Sequence, residues 1–276
     1  MEVGQYKIAA IIQARLGSSR LPNKVLMPLP INSKQSILSR IVTSIRAVNL
    51  VSTIHVATSV DSKNNLIENE CKKLSVKCYR GSEDDVLSRF FEIVNNNDYD
   101  FVLRFTADNP IIDVNLLSDF INNHTQKKLD YSCSQGLPLG CNFEMIKASS
   151  IIDAFNKTSA LFDKEHVTPF IKRNALNQEI FKYPKIEKVS HFRFTIDYPS
   201  DYAFINLMYN MLGEKPTYSL NDFLNLIENN PWVSNINNQN QQKHKTESLA
   251  EEIELILPTV KALELNRLNL FLKKGE

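Results

Sequence analysis

Short runs rich in Val, Ile and Ala alternate with longer stretches in which apolar residues recur every three or four positions, and this alternation fills the first two-thirds of the chain. The short runs predict strands over 8–13, 53–58, 76–79 and 101–106. Between them Ile37, Ile41, Ile45 and Val48 share one helical face, as do Leu66, Glu70 and Leu74, and then Val86, Phe90, Ile93 and Val94. Strands alternating with amphipathic helices are the pattern of βαβ units around a largely parallel sheet. Beyond Tyr131 the order loosens. Strands are predicted over 131–134, 143–147, 180–183 and 193–196, with helices over 151–160 and 165–174, so the sheet should be mixed and carry a small antiparallel subregion. Helices follow over 200–212, closed by Gly213, and over 219–228. From Ser234 to Thr246 almost every residue is polar, which leaves too little apolar surface to pack. The expected organisation is a main domain over 1–233, a polar linker or loop over 234–247, and a helical appendage over 248–276 interrupted at Pro258.

With 276 residues, 43% of them hydrophobic, the chain can bury one sizeable α/β core. Its 32 basic and 31 acidic side chains nearly cancel, so no global field draws it to nucleic acid or to an anionic membrane. Any anion must therefore be held by a local cluster. Cys71, Cys78, Cys133 and Cys141 lie too far apart in sequence for a zinc-type pair or a dense disulfide framework, and read as free thiols. No apolar run reaches membrane-spanning length and the first residues lack the pattern of a secretory leader, so a reducing cytoplasm is the expected location.

The first predicted strand runs into Gln13-Ala14-Arg15-Leu16-Gly17-Ser18-Ser19-Arg20-Leu21-Pro22-Asn23-Lys24. Three cations, one glycine and two hydroxyls follow the carboxyl end of a strand, where backbone N–H groups can approach phosphate oxygens and Arg15, Arg20 and Lys24 can neutralise them. A solvated loop with scattered charges is the plainer reading of this segment. It carries neither the P-loop spacing of ATPases nor the three-glycine dinucleotide fingerprint, because one glycine serves the whole turn. Asp108 follows the strand over 101–106 and Asp197 follows the strand over 193–196; each alone reads as a turn or cap residue.

The segment from Ala10 to Leu26 resembles the opening signature of the spore-coat polysaccharide biosynthesis protein F family, which belongs with the 3-deoxy-manno-octulosonate and sialic acid cytidylyltransferases. The likeness continues, in order, through Arg80-Gly81-Ser82-Glu83-Asp84-Asp85-Val86-Leu87-Ser88-Arg89, Arg104 to Pro110, Glu165 to Phe170 and Phe194 to Pro199. It implies a Rossmann-like nucleotidyltransferase fold, α/β with a mixed, mostly parallel sheet flanked by helices. It implies a CTP-dependent cytidylyltransferase that transfers CMP to an acidic sugar or sugar phosphate for bacterial surface polysaccharide or glycoconjugate synthesis, with pyrophosphate released. Carried onto this chain, the family's two metal-binding aspartates fall on Asp108 and Asp197, which would hold Mg²⁺, and Arg15 and Lys24 join them as the catalytic set. CTP would be held by Gln13, Ala14, Arg15, Gly17, Ser18, Arg20, Lys24, Gly81, Ser82 and Asp108. A homodimer is expected from the resemblance alone.

For the acceptor, Gly140, Asn142, Glu144, His166 and Arg173 are candidates, with His191 beside them, because they fall in the irregular second half that would wall off the other side of a nucleotide pocket. The family pattern near Gly140 has aspartates where Leu139 and Asn142 stand, and commonly glycine and cysteine where Ala107 and Asn109 flank Asp108. Two competing readings remain at this point. A nucleotide-sugar-dependent glycosyltransferase uses a similar fold, but its Asp-x-Asp metal motif should follow a strand, and Asp98-Tyr99-Asp100 precedes one. A non-catalytic nucleotide-binding relative is the other.

Overall fold

The computed structural model describes residues 6–183, 189–240, 249–262 and 264–273. The chain divides into two units, Met1–Gln239 and Asn240–Glu276. In the first, β1 (Ile8–Gln13), α1 (Ile37–Arg46), β2 (Thr53–Ser59), α2 (Asn65–Leu74), β3 (Lys77–Gly81), α3 (Val86–Asn95) and β4 (Phe101–Thr106) follow the predicted alternation. Then come α4 (Val114–Lys127), β5 (Tyr131–Gln135), β6 (Glu144–Lys147), α5 (Ala148–Lys157), α6 (Leu161–His166), α7 (Pro169–Asn174) and β7 (Gln178–Lys182). The unit closes with α8 (Pro199–Leu212) and α9 (Leu220–Asn229), and the second unit contains α10 (Leu249–Ala262) and α11 (Asn266–Lys273).

The seven strands form one sheet in the order β3-β2-β1-β4-β6-β5-β7, in which only β6 runs against its neighbours. Alternation along the strands sorts the core into two layers. Ile8, Ala10 and Ile12 of β1, with Leu103 and Phe105 of β4, pack toward α1, α2, α4, α8 and α9. Ile11 and Val102 face the other way, toward α3, α5 and α7. Gln13 aligns with Ala57 on one side and Thr106 on the other, so the loops after β1 and β4 leave the sheet at the same edge. Strand order reverses between β1 and β4, and in open α/β sheets such a switch point opens a crevice at the carboxyl ends of the strands.

Several elements depart from the sequence expectation. The helix α4 has no counterpart among the predicted ones, although Asp113 caps it by accepting from Asn115 and Leu116 N–H groups. The helix expected over 165–174 is broken in two: Val167 takes a positive φ of 69°, and Pro169, which has no N–H to donate, begins α7. Residues 193–196 make no strand. Phe194 N–H donates to Leu139 O at 2.7 Å and Ile196 N–H to Asp108 O at 2.9 Å, so the segment is shared between two loops and finds no single strand to pair with. Position 258 does not interrupt the appendage, because α10 continues past it and the turn comes where Glu264 has φ 54°; a proline removes one helical hydrogen bond without necessarily ending the helix. Within the polar stretch expected from Ser234, Asn237 is buried and donates to Arg193 O at 2.9 Å and Asp201 Oδ1 at 3.0 Å, so this part is packed in the first unit. Residues 241–247 of the expected linker, and 248 of the expected appendage, lie outside the described residues.

Candidate active site at the β1–β4 crevice

The loop after β1 is held by side chains of its neighbours. Ala14 N–H continues the ladder to Ala57 O at 3.1 Å, and Leu16 N–H donates to Asn64 Oδ1 at 3.0 Å. Asn64 in turn donates to Ser59 Oγ at 2.7 Å, and Ser59 Oγ to Glu83 Oε2 at 2.8 Å. Ser18 Oγ accepts from Leu21 N–H at 3.3 Å, which tightens the turn. Gly17 has no left-handed φ, and a Cβ built on it would meet only Glu83 Oε1 at 3.8 Å. Its bare Cα thus relieves no strain; it leaves the outer surface of the loop clear. Asn23, in the left-handed region at φ 59°, turns the chain so that Lys24 points inward and is buried.

Lys24 brings the two aspartates together across the crevice. Its Nζ donates to Asp108 Oδ2 at 2.9 Å, Asp197 Oδ1 at 2.9 Å and Ile196 O at 2.7 Å. Arg20 reaches the same Asp197 oxygen at 3.1 Å while lying 4.6 Å from the centre of the Tyr198 ring, and Arg193 reaches Asp197 Oδ2 at 2.7 Å. Burial alone would push the Asp197 carboxyl up; the charges of Lys24, Arg20 and Arg193 overcome it and hold it below the usual carboxylate range. Asp201, at the third position of α8, accepts from the backbone N–H groups of Asp197 and Tyr198 at 3.0 Å and pairs with Arg193. These contacts fix the Asp197 backbone from both sides.

Three oxygens converging on one ammonium describe a cation site, with the lysine as stand-in. Hard divalent ions take such oxygen donors, and magnesium needs only one or two carboxylates when phosphates supply the rest. Among the described residues no cluster of three or more His, Cys, Asp or Glu is placed to hold a metal. What the chain offers is the pair Asp108 and Asp197, and it fits that requirement.

The loop after β3 is held by contacts with its own neighbours. Arg80 is occupied by Glu68, Asn65 and the carbonyls of Ser59, Val60 and Asp61, which ties β3 to the start of α2. Ser82 Oγ accepts from Asp85 N–H at 3.1 Å, and Asp85 caps α3 through Ser88 N–H at 2.8 Å. A Cβ on Gly81 would lie 2.9 Å from both Arg89 Cγ and Tyr79 Cε1, so the glycine makes room for a buried arginine.

The acceptor candidates divide. Gly140, at φ 98°, lies so close to the 194–195 backbone that a Cβ would sit 2.7 Å from Thr195 N; here glycine is demanded by close approach. Asn142 Oδ1 accepts from Ser134 Oγ at 3.2 Å. Glu144 lies beneath the crevice in a closed web, paired with Arg104 at 2.6 Å and Lys172 at 2.8 Å and accepting from Tyr131 Oη at 2.7 Å. Burial works against its charge, yet Arg104 and Lys172 hold its pKa down to about 2. Arg104 also donates to Gln13 Oε1 at 3.2 Å, which links Gln13 to this web. Arg173 gives both short contacts, 2.8 Å each, to Asp163, and so ties α6 to α7. His166 packs edge-on against Phe162, and His191 lies against Phe192.

Of the residues singled out in the sequence, Arg20, Lys24, Asp108 and Asp197 therefore meet directly, and Gln13 joins Glu144 through Arg104. Sequence reading missed Arg193, Asp201 and Asn64, which orient that group. A signal existed in Arg193-x-x-x-Asp197 and in an acid three positions into a proline-started helix; Asn64 carried none.

A family model described as Cytidylyltransferase matches residues 9–230. Spore coat polysaccharide biosynthesis protein SpsF of Bacillus subtilis (strain 168) is 35% identical over 229 residues, 81% of this chain and 95% of that protein. A solved cytidylyltransferase from Leptospira borgpetersenii serovar Hardjo-bovis (strain JB197) superposes with a TM-score of 0.75 at 24% identity, covering 87% of this chain and all of the other. A CMP:2-keto-3-deoxy-manno-octonic acid synthetase complexed with CTP shares the fold, with a TM-score of 0.56 at 12% identity over 74% of this chain and 99% of that one.

Proposed function

The chain belongs to the cytidylyltransferase family, and we propose that it transfers CMP from CTP to an acidic sugar or sugar phosphate, releasing pyrophosphate, in the synthesis of a bacterial surface polysaccharide or glycoconjugate. The observation that supports this reading most is the meeting of Lys24 with Asp108, Asp197 and Ile196 O at the switch point of the sheet. Asp98 and Asp100, the only acids of an Asp-x-Asp motif near the sheet, are bound by Lys7 at 2.6 and 2.7 Å at the opposite strand ends, which disfavours the glycosyltransferase alternative.

In the proposed reaction an acceptor oxygen forms a bond to the α-phosphorus while the bond from that phosphorus to the bridging oxygen breaks in line, and pyrophosphate leaves with the electron pair. Mg²⁺ held by Asp108 and Asp197 would supply charge neutralisation at the phosphates. Arg15, exposed at the mouth of the loop, meets the triphosphate; Lys24 and Arg20 offer cations that must exchange part of their carboxylate contacts for phosphate oxygens. Positioning and electrostatics supply the rate, and an acceptor that is already ionised needs no protein base. We take the enzyme to work in the cytoplasm as a homodimer; no helix among the described residues is long and apolar enough to cross a membrane.

The test is pyrophosphate release from a panel of nucleoside triphosphates offered with acidic sugars and sugar phosphates. CTP-dependent release with at least one acidic acceptor is expected. Release from every triphosphate except CTP would overturn the reading.

A further inference from the structure

Of the cations around the crevice, Arg15, Arg20, Lys24 and Arg89 are not in the same electrostatic state. Lys24 and Arg20 are already neutralised by Asp197, and Lys24 also by Asp108. Arg15 and Arg89 are not: the side chain of neither has a hydrogen-bond or ion-pair partner among the described residues. Arg89 is the more unusual, since it lies on the first turn of α3 with only 3% of its surface exposed, and its Nε is sealed from solvent without an acceptor. A buried guanidinium with no counter-ion is costly, and folded proteins rarely keep one without a reason.

Its surroundings point to the reason. Burial makes the charged form of Arg89 harder to keep, and the charge of Arg15, which repels it, works in the same direction. Glu83 and Asp85 pull the other way, but Glu83 is held by Ser59, and Asp85 is occupied by the Ser88 N–H and by Lys164 at 3.5 Å. Gly81 keeps the passage for the arginine stem open, because any side chain there would collide with Arg89 Cγ. Two unpaired guanidiniums of like charge that repel each other, one in the loop after β1 and one on the first turn of α3, form a site that lacks only its anion.

We propose that Arg89 is a substrate-binding residue which, with Arg15, grips the β- and γ-phosphates of the incoming nucleoside triphosphate. The assignment rests on the nucleotidyltransferase reading of the same crevice. It divides the labour among the cations: Arg15 and Arg89 are free to capture the triphosphate, whereas Lys24 and Arg20 start out bound to the aspartates. The cost of keeping Arg89 unpaired is carried by the resting protein and relieved when the polyphosphate arrives.

The test is calorimetric titration of CTP and of CMP into the full chain, wild type and the variants Arg89→Met and Arg89→Lys, together with thermal melting of each without nucleotide. Arg89→Met should weaken CTP on the order of 10- to 100-fold, as expected for losing a charged hydrogen bond, and Arg89→Lys should fall between. CMP, which lacks the β- and γ-phosphates, should change by less than about threefold. Because the substitution keeps an apolar stem and removes an unpaired buried charge, Arg89→Met should melt no lower than wild type. Unchanged CTP affinity, or equal weakening of CTP and CMP, overturns the assignment. A lower melting temperature with CTP affinity intact does so too, and makes Arg89 a packing residue. Wild-type protein that binds no nucleoside triphosphate is a different result, and overturns the parent reading of the crevice along with it.

Discussion

Replacing Lys24 with methionine removes the one group that joins Asp108, Asp197 and Ile196 O. The stem is retained, so the change in volume is small, but three oxygens each lose a donor at once. The ammonium side chain is 9% exposed, Asp197 12% and Asp108 27%, so the first two charges are well shielded and the third half relies on water. Breaking a buried ion pair by deleting one partner costs about 3–5 kcal/mol. Asp197 keeps Arg20 and Arg193, and Asp108 can rehydrate, so the loss at neutral pH should be about 2–4 kcal/mol. For a chain of this size that is a fall in Tm of about 5–15 °C. The pH dependence follows from Asp197, whose pKa is lowered in the folded protein. Its stabilising contribution is complete above the unfolded-chain value and is lost as pH falls through the folded one. In the variant two arginines remain to depress that pKa where three cations did before, so wild type has more to lose in acid. The gap in Tm should therefore narrow as melts are taken from about pH 7 toward about pH 2. Equal Tm values at neutral pH, or a gap that stays constant into acid, would refute the account of Lys24 as the buried counter-ion of this site.

Asp108→Asn and Asp197→Asn should each remove most pyrophosphate release while the protein stays folded, and the double variant should be little worse than either, as for residues that act as a unit; full activity of either single variant at limiting magnesium sinks the paired-metal assignment. Glu144→Gln leaves Arg104 and Lys172 without their buried carboxylate and should cost about 3–5 kcal/mol at neutral pH. Since the Glu144 pKa is held down to about 2, the penalty should shrink only as pH falls from the ordinary carboxylate range through that value, measured by denaturant unfolding. Gly140→Ala forces a Cβ within 2.7 Å of Thr195 N, and should lower both Tm and turnover by pushing the 193–197 segment away from Lys24; a variant with native Tm and native turnover would show that the backbone gives way harmlessly.

The strands of the parallel core could be read from the sequence because their apolar runs are uninterrupted: β1 and β4 were found with the observed ends. The helix α4 was missed because Val114–Lys127 mixes four buried positions into a polar sequence rich in Asn, and its strongest marker, the Asp113 cap, looks like any turn aspartate. Residues 193–196 have the composition of a strand, yet their hydrogen bonds go to two different loops, and local pattern cannot show which partners a segment will find. The same limit applies to the site. Lys24, Asp108 and Asp197 stood out because each follows a strand or a marked turn, but that the lysine holds both acids is a fact of three dimensions. Arg173 is tied to Asp163 within its own helical pair, a partner that its position in the sequence does not reveal. Arg89 lay inside a quoted motif without a role, because burial without a partner cannot be read from sequence.

The hairpin loop over 136–143 is pinned to the chain that carries Asp197: Leu139 N–H donates to Phe192 O, Phe194 N–H returns to Leu139 O, and Gly140 lies flat on the join. Divergence at this place cannot be modular. A descendant that lengthened the hairpin, or filled position 140 with a side chain, would displace an aspartate more than fifty residues away in sequence, so changes in one segment select for repair in the other. Swapping the loop alone between relatives should give poor chimaeras; exchanging it together with residues 192–201 preserves the unit on which selection acts.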